Sequence, residues 1–151
     1  MTAQLTSQDV ADYFLSLPNE SFANFKLQKL VYYAQGYHLA LFGKPLFNEP
    51  MVAGEHGAYV DSLMEKYKVV KGPIPMPEKI DLSKYSEDVK NLLNSIVKEY
   101  GQLTAGRLRE KVYSEMPWIN GSKRADTSVS NEDLITFFKT QFDGNKIKKQ
   151  V

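Results

Sequence analysis

The chain has 151 residues, 42% hydrophobic and 25% charged, a balance that suits one globular domain and excludes an intrinsically disordered chain. Its 19 basic and 18 acidic residues nearly cancel, so no strong net charge favours binding to nucleic acid or to an anionic membrane. The absence of cysteine excludes disulfides, thiolate nucleophiles and cysteine-ligated zinc.

The first stretch, "MTAQLTSQDVADYF", has no basic region followed by an apolar run, and so does not resemble a signal peptide. The most apolar segment, around residues 31–42, is interrupted by Gln35, Gly36 and His38 and is too short to span a bilayer. We therefore expect a cytoplasmic protein with no membrane partner.

Two helices are predicted first. Ser7 is a plausible N-cap for a helix that ends at Pro18. The second helix runs from near Asn24 to Gly43 through "LQKLVYYAQGYHLALFG". Apolar residues cover most of its circumference, which is typical of a helix surrounded by other structure, either its own domain or another protein.

A small β element follows. Short apolar segments in "KPLFNEPMVAGEHG" flank an Asn48-Glu49-Pro50 sequence, which predicts a β-hairpin with its turn at those residues. After Gly57, "AYVDSLMEKYK" has helical spacing and predicts a third helix.

The remaining elements are helical. After a proline-rich connection, Ser86 is predicted to cap a fourth helix and Thr104 a fifth, which stops before Pro117 and Trp118. A polar loop then leads to a last helix, capped by Ser130 and continuing to residue 142. The sequence thus predicts a mainly α, compact single domain over residues 1–142, with about six helices and one short hairpin. Residues 143–151 are expected to form a short, basic, flexible tail.

Catalytic candidates are few. His38 lies on the apolar stripe of the second helix and is interpreted as a core histidine. His56 lies among Glu55, Tyr59 and Asp61, so it is either a general base of a small hydrolase or a polar pivot before a helix. No phosphate-binding or nucleophile motif is present, and two distant histidines do not make a zinc site. We expect no catalytic, cofactor or metal residue, with the hydrolase kept as an alternative.

Aromatic residues are abundant, with nine tyrosines, eight phenylalanines and one tryptophan. Tyr32, Tyr33 and Tyr37 spread over roughly 140° around the second helix, so they cannot all face a core on one side. Exposed tyrosine and tryptophan are typical of protein-binding hot spots, and Trp118 is a further candidate. Core packing and partner binding both stay open for these four residues. Lys29 either extends past a close helix contact or is presented to an acidic partner.

Basic residues cluster twice, around Arg107, Arg109 and Lys111 and at Lys123-Arg124. Acidic residues interleave with both clusters, which favours solvated surfaces over a nucleic-acid site. The sequence does not favour a nucleic-acid partner, and a DNA-binding regulator is kept as the weakest alternative.

An ordered set of motifs resembles the Panacea domain, the SocA-like antitoxin family found among phage-associated proteins. The motifs are L-x-K-L-x-Y-Y-A-Q-G, then G-K-P-L-F and E-H-G-x-x-V, followed by "YGQLTAGRLRE" and "MPW". The resemblance extends from about Thr6 to Phe142.

This resemblance implies a non-enzymatic antitoxin that neutralises a cognate toxin, encoded beside it, by direct protein–protein binding. A SocA-type relative implies an alternative, a proteolytic adaptor that delivers the toxin to an ATP-dependent protease. Motif matches and aromatic content together predict these partner-binding residues: Lys29, Tyr32, Tyr33, Tyr37, His56, Tyr59 and Trp118.

Overall fold

A computed structural model describes residues 4–18 and 20–142, so the predicted basic tail at 143–151 lies outside the described residues. The elements in chain order are α1 Ser7–Ser16, α2 Asn24–Phe42, β1 Met51–Gly54, β2 Gly57–Val60, α3 Asp61–Tyr67, a 3₁₀ turn Leu82–Lys84, α4 Glu87–Tyr100, α5 Ala105–Tyr113, α6 Met116–Ser122, β3 Ser128–Val129 and α7 Asn131–Phe138. The mainly α fold predicted from the sequence is confirmed.

Helix α2 is the centre of the fold. Every residue from Leu27 to Leu39 is buried, and α1, α4, α5, α7 and β2 all pack against it. Its own domain therefore surrounds it, which explains why the helix is apolar on most sides. The predicted end is confirmed, since Gly43 has a left-handed φ of 73° and donates its N–H to Leu39 O at 2.9 Å.

Helix α7 approaches α2 closely at Gly36. A Cβ atom at this position would lie 2.1 Å from Cε2 of Phe138, whose side chain is completely buried. Glycine is therefore required here so that the Phe138 ring can lie directly against the α2 backbone.

Local capping chemistry sets most helix starts. Helices α4, α5 and α7 begin after the capping side chains predicted from the sequence, which are Ser86, Thr104 and Ser130. The prediction for α1 was wrong by one residue, because Thr6 and Asp9 form a capping box ahead of Ser7. Ser7 instead donates from its backbone N–H and its hydroxyl to Glu49.

The hairpin turn predicted at residues 48–50 is wrong in position. Strands β1 and β2 pair from Met51 with Val60 to Gly54 with Gly57, so the turn consists of Glu55 and His56. Gly57 has a φ of 106°, a conformation that favours glycine and permits the tight reversal. The residues immediately after Gly57 therefore continue the strand, and α3 begins only at Asp61.

Two elements were missed. Helix α6 contains the Pro117-Trp118 pair, because proline is tolerated in the first turn of a helix, where backbone N–H groups lack intrahelical partners. Strand β3 pairs with the other edge of β1, which gives a three-stranded antiparallel sheet in the order β2-β1-β3. Helix α7 ends at Phe138 rather than at residue 142.

Candidate functional site

A network of tyrosine side chains surrounds one buried carboxylate. The hydroxyls of Tyr32 and Tyr33 each donate to Glu115 at 3.0 Å, and Glu115 is only 3% exposed. The Tyr33 ring stacks on Tyr100 with centroids 3.9 Å apart, and the hydroxyls of Tyr37 and Tyr100 are 2.7 Å apart. Through these contacts α2 binds Glu115, which lies in the connection between α5 and α6, and packs against α4.

Tyr32, Tyr33 and Tyr37, which the sequence predicted as partner contacts, are completely buried in this structure. Their spread around α2 does not force any of them to the surface, since α4 and α7 bury the side of the helix that the sequence left open. Their role is to build the interior. His38 is also buried, as predicted, with Nδ1 2.7 Å from Lys44 O.

Glu115 gives the fold a pH dependence. Burial raises the pKa of this carboxyl to about 7, against the hydrogen bonds from Tyr32 and Tyr33 that lower it. Between the unfolded value of 4.5 and pH 7 the folded chain holds a proton that the unfolded chain has released.

We therefore expect the stabilising contribution of protonated Glu115 to be present below pH 4.5 and lost as pH rises through 7. The expected loss is about 3 kcal/mol in the free energy of unfolding. Urea unfolding of the wild type and of Glu115→Gln from pH 4 to pH 8 gives the free energy of unfolding of each as a function of pH, and the change in their difference measures this loss. A constant difference between the two proteins would contradict the prediction.

Glu115 also connects the interior to a surface. It is the N-cap residue of α6 and lies in the short connection from α5. Its position therefore affects how α5 and α6 are placed, and with them Tyr113 and Trp118. Glu115 was not predicted as a site residue. It lies ahead of α6, a helix that the sequence did not predict, so no feature of the sequence distinguished it from other acidic residues.

A surface cluster lies where the β1–β2 turn meets α2, α5 and α6. We call it the turn face, and it consists of Phe25, His56, Arg109, Tyr113 and Trp118. The Phe25 ring is 41% exposed and stacks on the His56 ring, with centroids 4.0 Å apart and planes inclined by 14°. Arg109 is exposed, while His56, Tyr113 and Trp118 are half-buried.

Helices α5 and α6 hold the turn in place. Trp118 donates its indole N–H to Gly54 O at 3.0 Å, and the Tyr113 hydroxyl donates to Glu55 O. The Tyr113 and Trp118 rings also pack together, with centroids 4.3 Å apart. These contacts satisfy the last carbonyl of β1 and the first carbonyl of the turn, so the backbone here is held by side chains distant in the sequence.

Lys29 lies beneath the turn face rather than on it. Its side chain is 1% exposed, and its ammonium donates to Phe25 O at 2.9 Å and lies 5.9 Å from the centre of the Phe25 ring. Burial, and secondarily the positive charge of Arg109, lowers the pKa of Lys29 to about 8. Lys29, which the sequence predicted as a partner contact, is therefore covered by the turn face in this structure.

Tyr59 is half-buried on β2, beside the turn. Its ring occupies the space next to Gly54, where a Cβ atom would lie 2.5 Å from the ring. Of the seven predicted contact residues, the structure brings three to the surface around the turn: His56, Tyr59 and Trp118.

The hydrolase alternative required a carboxylate paired with His56. Within the described residues, neither Glu55 nor Asp61 forms a hydrogen bond or an ion pair with the imidazole, which stacks on Phe25 instead. No group of three or more acidic or histidine side chains suited to a metal ion occurs in residues 4–18 and 20–142. No helix in that part of the chain is long and apolar enough to cross a membrane.

Comparison with known proteins gives one match. The family model for the antitoxin SocA-like Panacea domain matches residues 27–119, which is more than half of the chain. The match begins in α2 and ends in α6, so it includes the buried tyrosines, the β1–β2 turn and the α5–α6 junction. No curated protein and no solved structure matches the chain. The chain belongs to the SocA-like Panacea antitoxin domain family.

Proposed function

We propose that this protein neutralises a toxin protein by binding it directly through the turn face. Membership of an antitoxin family supports a toxin as the partner. The observation that carries the choice of surface is the exposed Phe25–His56 stack beside Arg109, Tyr113 and Trp118. Aromatic and arginine side chains are the residue types that dominate binding energy at protein interfaces.

The turn face is preorganised for such a contact. Hydrogen bonds from Trp118 and Tyr113 hold the turn carbonyls, and ring stacking orients His56. A partner that binds here does not have to order a flexible loop, so less conformational entropy is lost on association.

The buried network supports the same surface indirectly. Glu115 is held by Tyr32 and Tyr33, and it lies between Tyr113 and Trp118 in the chain. Tyr32 and Tyr33, which match the family motif, therefore act as a scaffold that positions the contact residues.

Truncation of Phe25 should weaken toxin binding. Phe25→Ala removes a ring of the face that is exposed where the others are half-buried, and we expect the Kd to rise by about 30-fold, equivalent to about 2 kcal/mol. Titration calorimetry measures this with purified product of the adjacent reading frame as the toxin. The control is Leu82→Ala, because Leu82 is 50% exposed but lies outside the turn face, and its Kd should stay within about twofold of the wild type.

Growth rescue in cells that express the same toxin gives a second measurement. Phe25→Ala should fail to rescue at a level of expression where Leu82→Ala succeeds. Equal binding and equal rescue by the two variants would remove the turn face from the proposal. Repeating the assay in a host without its ATP-dependent proteases separates direct neutralisation, which survives their loss, from delivery by an adaptor, which does not.

A further inference from the structure

Two positive charges at the turn face have no acidic partner within the described residues. No described carboxylate lies within 4.0 Å of the Lys29 ammonium or the Arg109 guanidinium. The Arg109 side chain also makes no hydrogen bond to the described part of the chain, and the Lys29 ammonium uses one of its three donors, on Phe25 O.

This arrangement destabilises the protein when it is not bound to a partner. A buried ammonium loses its hydration, and the nearby guanidinium repels it, whereas buried charges in folded proteins are normally paired. Among the described residues, the buried Lys29 ammonium thus has no carboxylate partner, and it lies behind the exposed Phe25 ring.

The helix geometry brings these charges to one place. Arg109 and Tyr113 are four residues apart on α5, so they lie on one side of that helix, and Tyr113 reaches the turn. A Cβ atom at Gly57 would lie 3.3 Å from Cε of Lys29 and 3.6 Å from Cγ1 of Val112, so α5, the hairpin and the Lys29 stem meet at this point. Arg109 is thus at the rim of the face and Lys29 is beneath it.

We infer that the toxin contacts the turn face through an aspartate or glutamate side chain, whose carboxylate pairs with Arg109 above the buried ammonium of Lys29. This inference rests on the proposed function. A guanidinium can hold a carboxylate with two parallel N–H···O bonds, and the surrounding rings of Phe25, Tyr113 and Trp118 would exclude water from that pair. The charge of Lys29 would add attraction that is little screened, because the ammonium is away from solvent.

The first test changes arginines on the same helix. Arg109→Gln should raise the Kd for the toxin from the adjacent reading frame by at least about tenfold at low salt and reduce its dependence on NaCl. Arg107→Gln is the matched control, since Arg107 is also exposed on α5, and its Kd should stay within about twofold of the wild type.

The second test separates function from folding. Lys29→Met keeps the aliphatic volume and removes the buried charge, so we expect it to unfold at the same or a higher urea concentration than the wild type while binding the toxin more weakly. A purely structural role for the lysine would instead lower stability and leave the affinity of the folded fraction unchanged.

The outcomes are distinct. If the wild type does not bind the toxin, the proposed function fails and this inference fails with it. If the wild type binds but Arg109→Gln binds equally well, or Arg107→Gln loses as much affinity, only the acidic contact is overturned. Recovery of Arg109→Glu binding by a single Asp→Lys or Glu→Lys change in the toxin identifies the carboxylate, and failure of every such change to restore binding contradicts the inference.

Discussion

Replacing Glu115 by alanine should destabilise the protein by about 3–5 kcal/mol. The carboxylate accepts from both Tyr32 and Tyr33, and all three side chains are buried. Removing it leaves two hydroxyls without their acceptor, each costing about 1–3 kcal/mol, and opens a cavity among the rings. The substitution also removes the free-energy cost of burying the carboxylate, which offsets part of this loss. Urea unfolding at pH 7 measures the change.

Two variants show whether the network is responsible. Glu110→Ala removes an exposed glutamate from α5 and should change the free energy of unfolding by no more than about 0.5 kcal/mol. Glu115→Gln retains an acceptor oxygen in nearly the same volume and should keep most of the stability that alanine loses. If Glu115→Ala unfolds at the same urea concentration as Glu110→Ala, the network does not stabilise the fold.

Replacing Gly36 by alanine should have the second large effect, a loss of about 1–3 kcal/mol. The added Cβ would lie 2.1–2.7 Å from three atoms of the Phe138 ring. That ring cannot move aside easily, because the Tyr32 and Tyr37 rings lie against it with centroids 5.6 and 4.8 Å away. Overpacking therefore outweighs the gain of about 1 kcal/mol that alanine brings to a helix interior.

Gly106→Ala is the matched control, because nothing lies within 4 Å of a Cβ built at this helical glycine. Thermal unfolding should show an unchanged or raised Tm for Gly106→Ala and a lowered Tm for Gly36→Ala. Combining Gly36→Ala with Phe138→Leu should recover part of the loss, since a smaller side chain leaves room for the methyl group. A Gly36→Ala protein as stable as Gly106→Ala would show that α7 can retreat from α2.

Helix starts were predictable because capping acts over three residues of chain. Ser86 and Thr104 each accept from the backbone N–H three positions on, whatever the rest of the fold does. The missed helix α6 shows the limit of this logic. A proline in the interior of a helix breaks it, whereas a proline in the first turn is compatible with the helix. The sequence alone does not say which of these positions Pro117 occupies.

The candidate site was predicted in part. His56, Tyr59 and Trp118 do lie at the surface around the β1–β2 turn. Phe25 was not singled out, because one phenylalanine at the start of an apolar helix resembles any core residue. Arg109 was assigned to a solvated surface, and it is exposed, but the sequence did not predict that its charge acts on Lys29.

The amino-acid sequence by itself determined the helical character, the starts of α2, α4, α5 and α7 and, through its ordered motifs, the family. These depend on interactions within a few residues or on a pattern that is read along the chain. Only the tertiary structure decided that Tyr32, Tyr33 and Tyr37 are interior, that Glu115 accepts from the first two, and that the Lys29 ammonium beneath the turn has no carboxylate partner among residues 4–18 and 20–142. Burial and charge pairing depend on what packs against a side chain from every direction, and most of those neighbours are more than 50 residues away in the sequence.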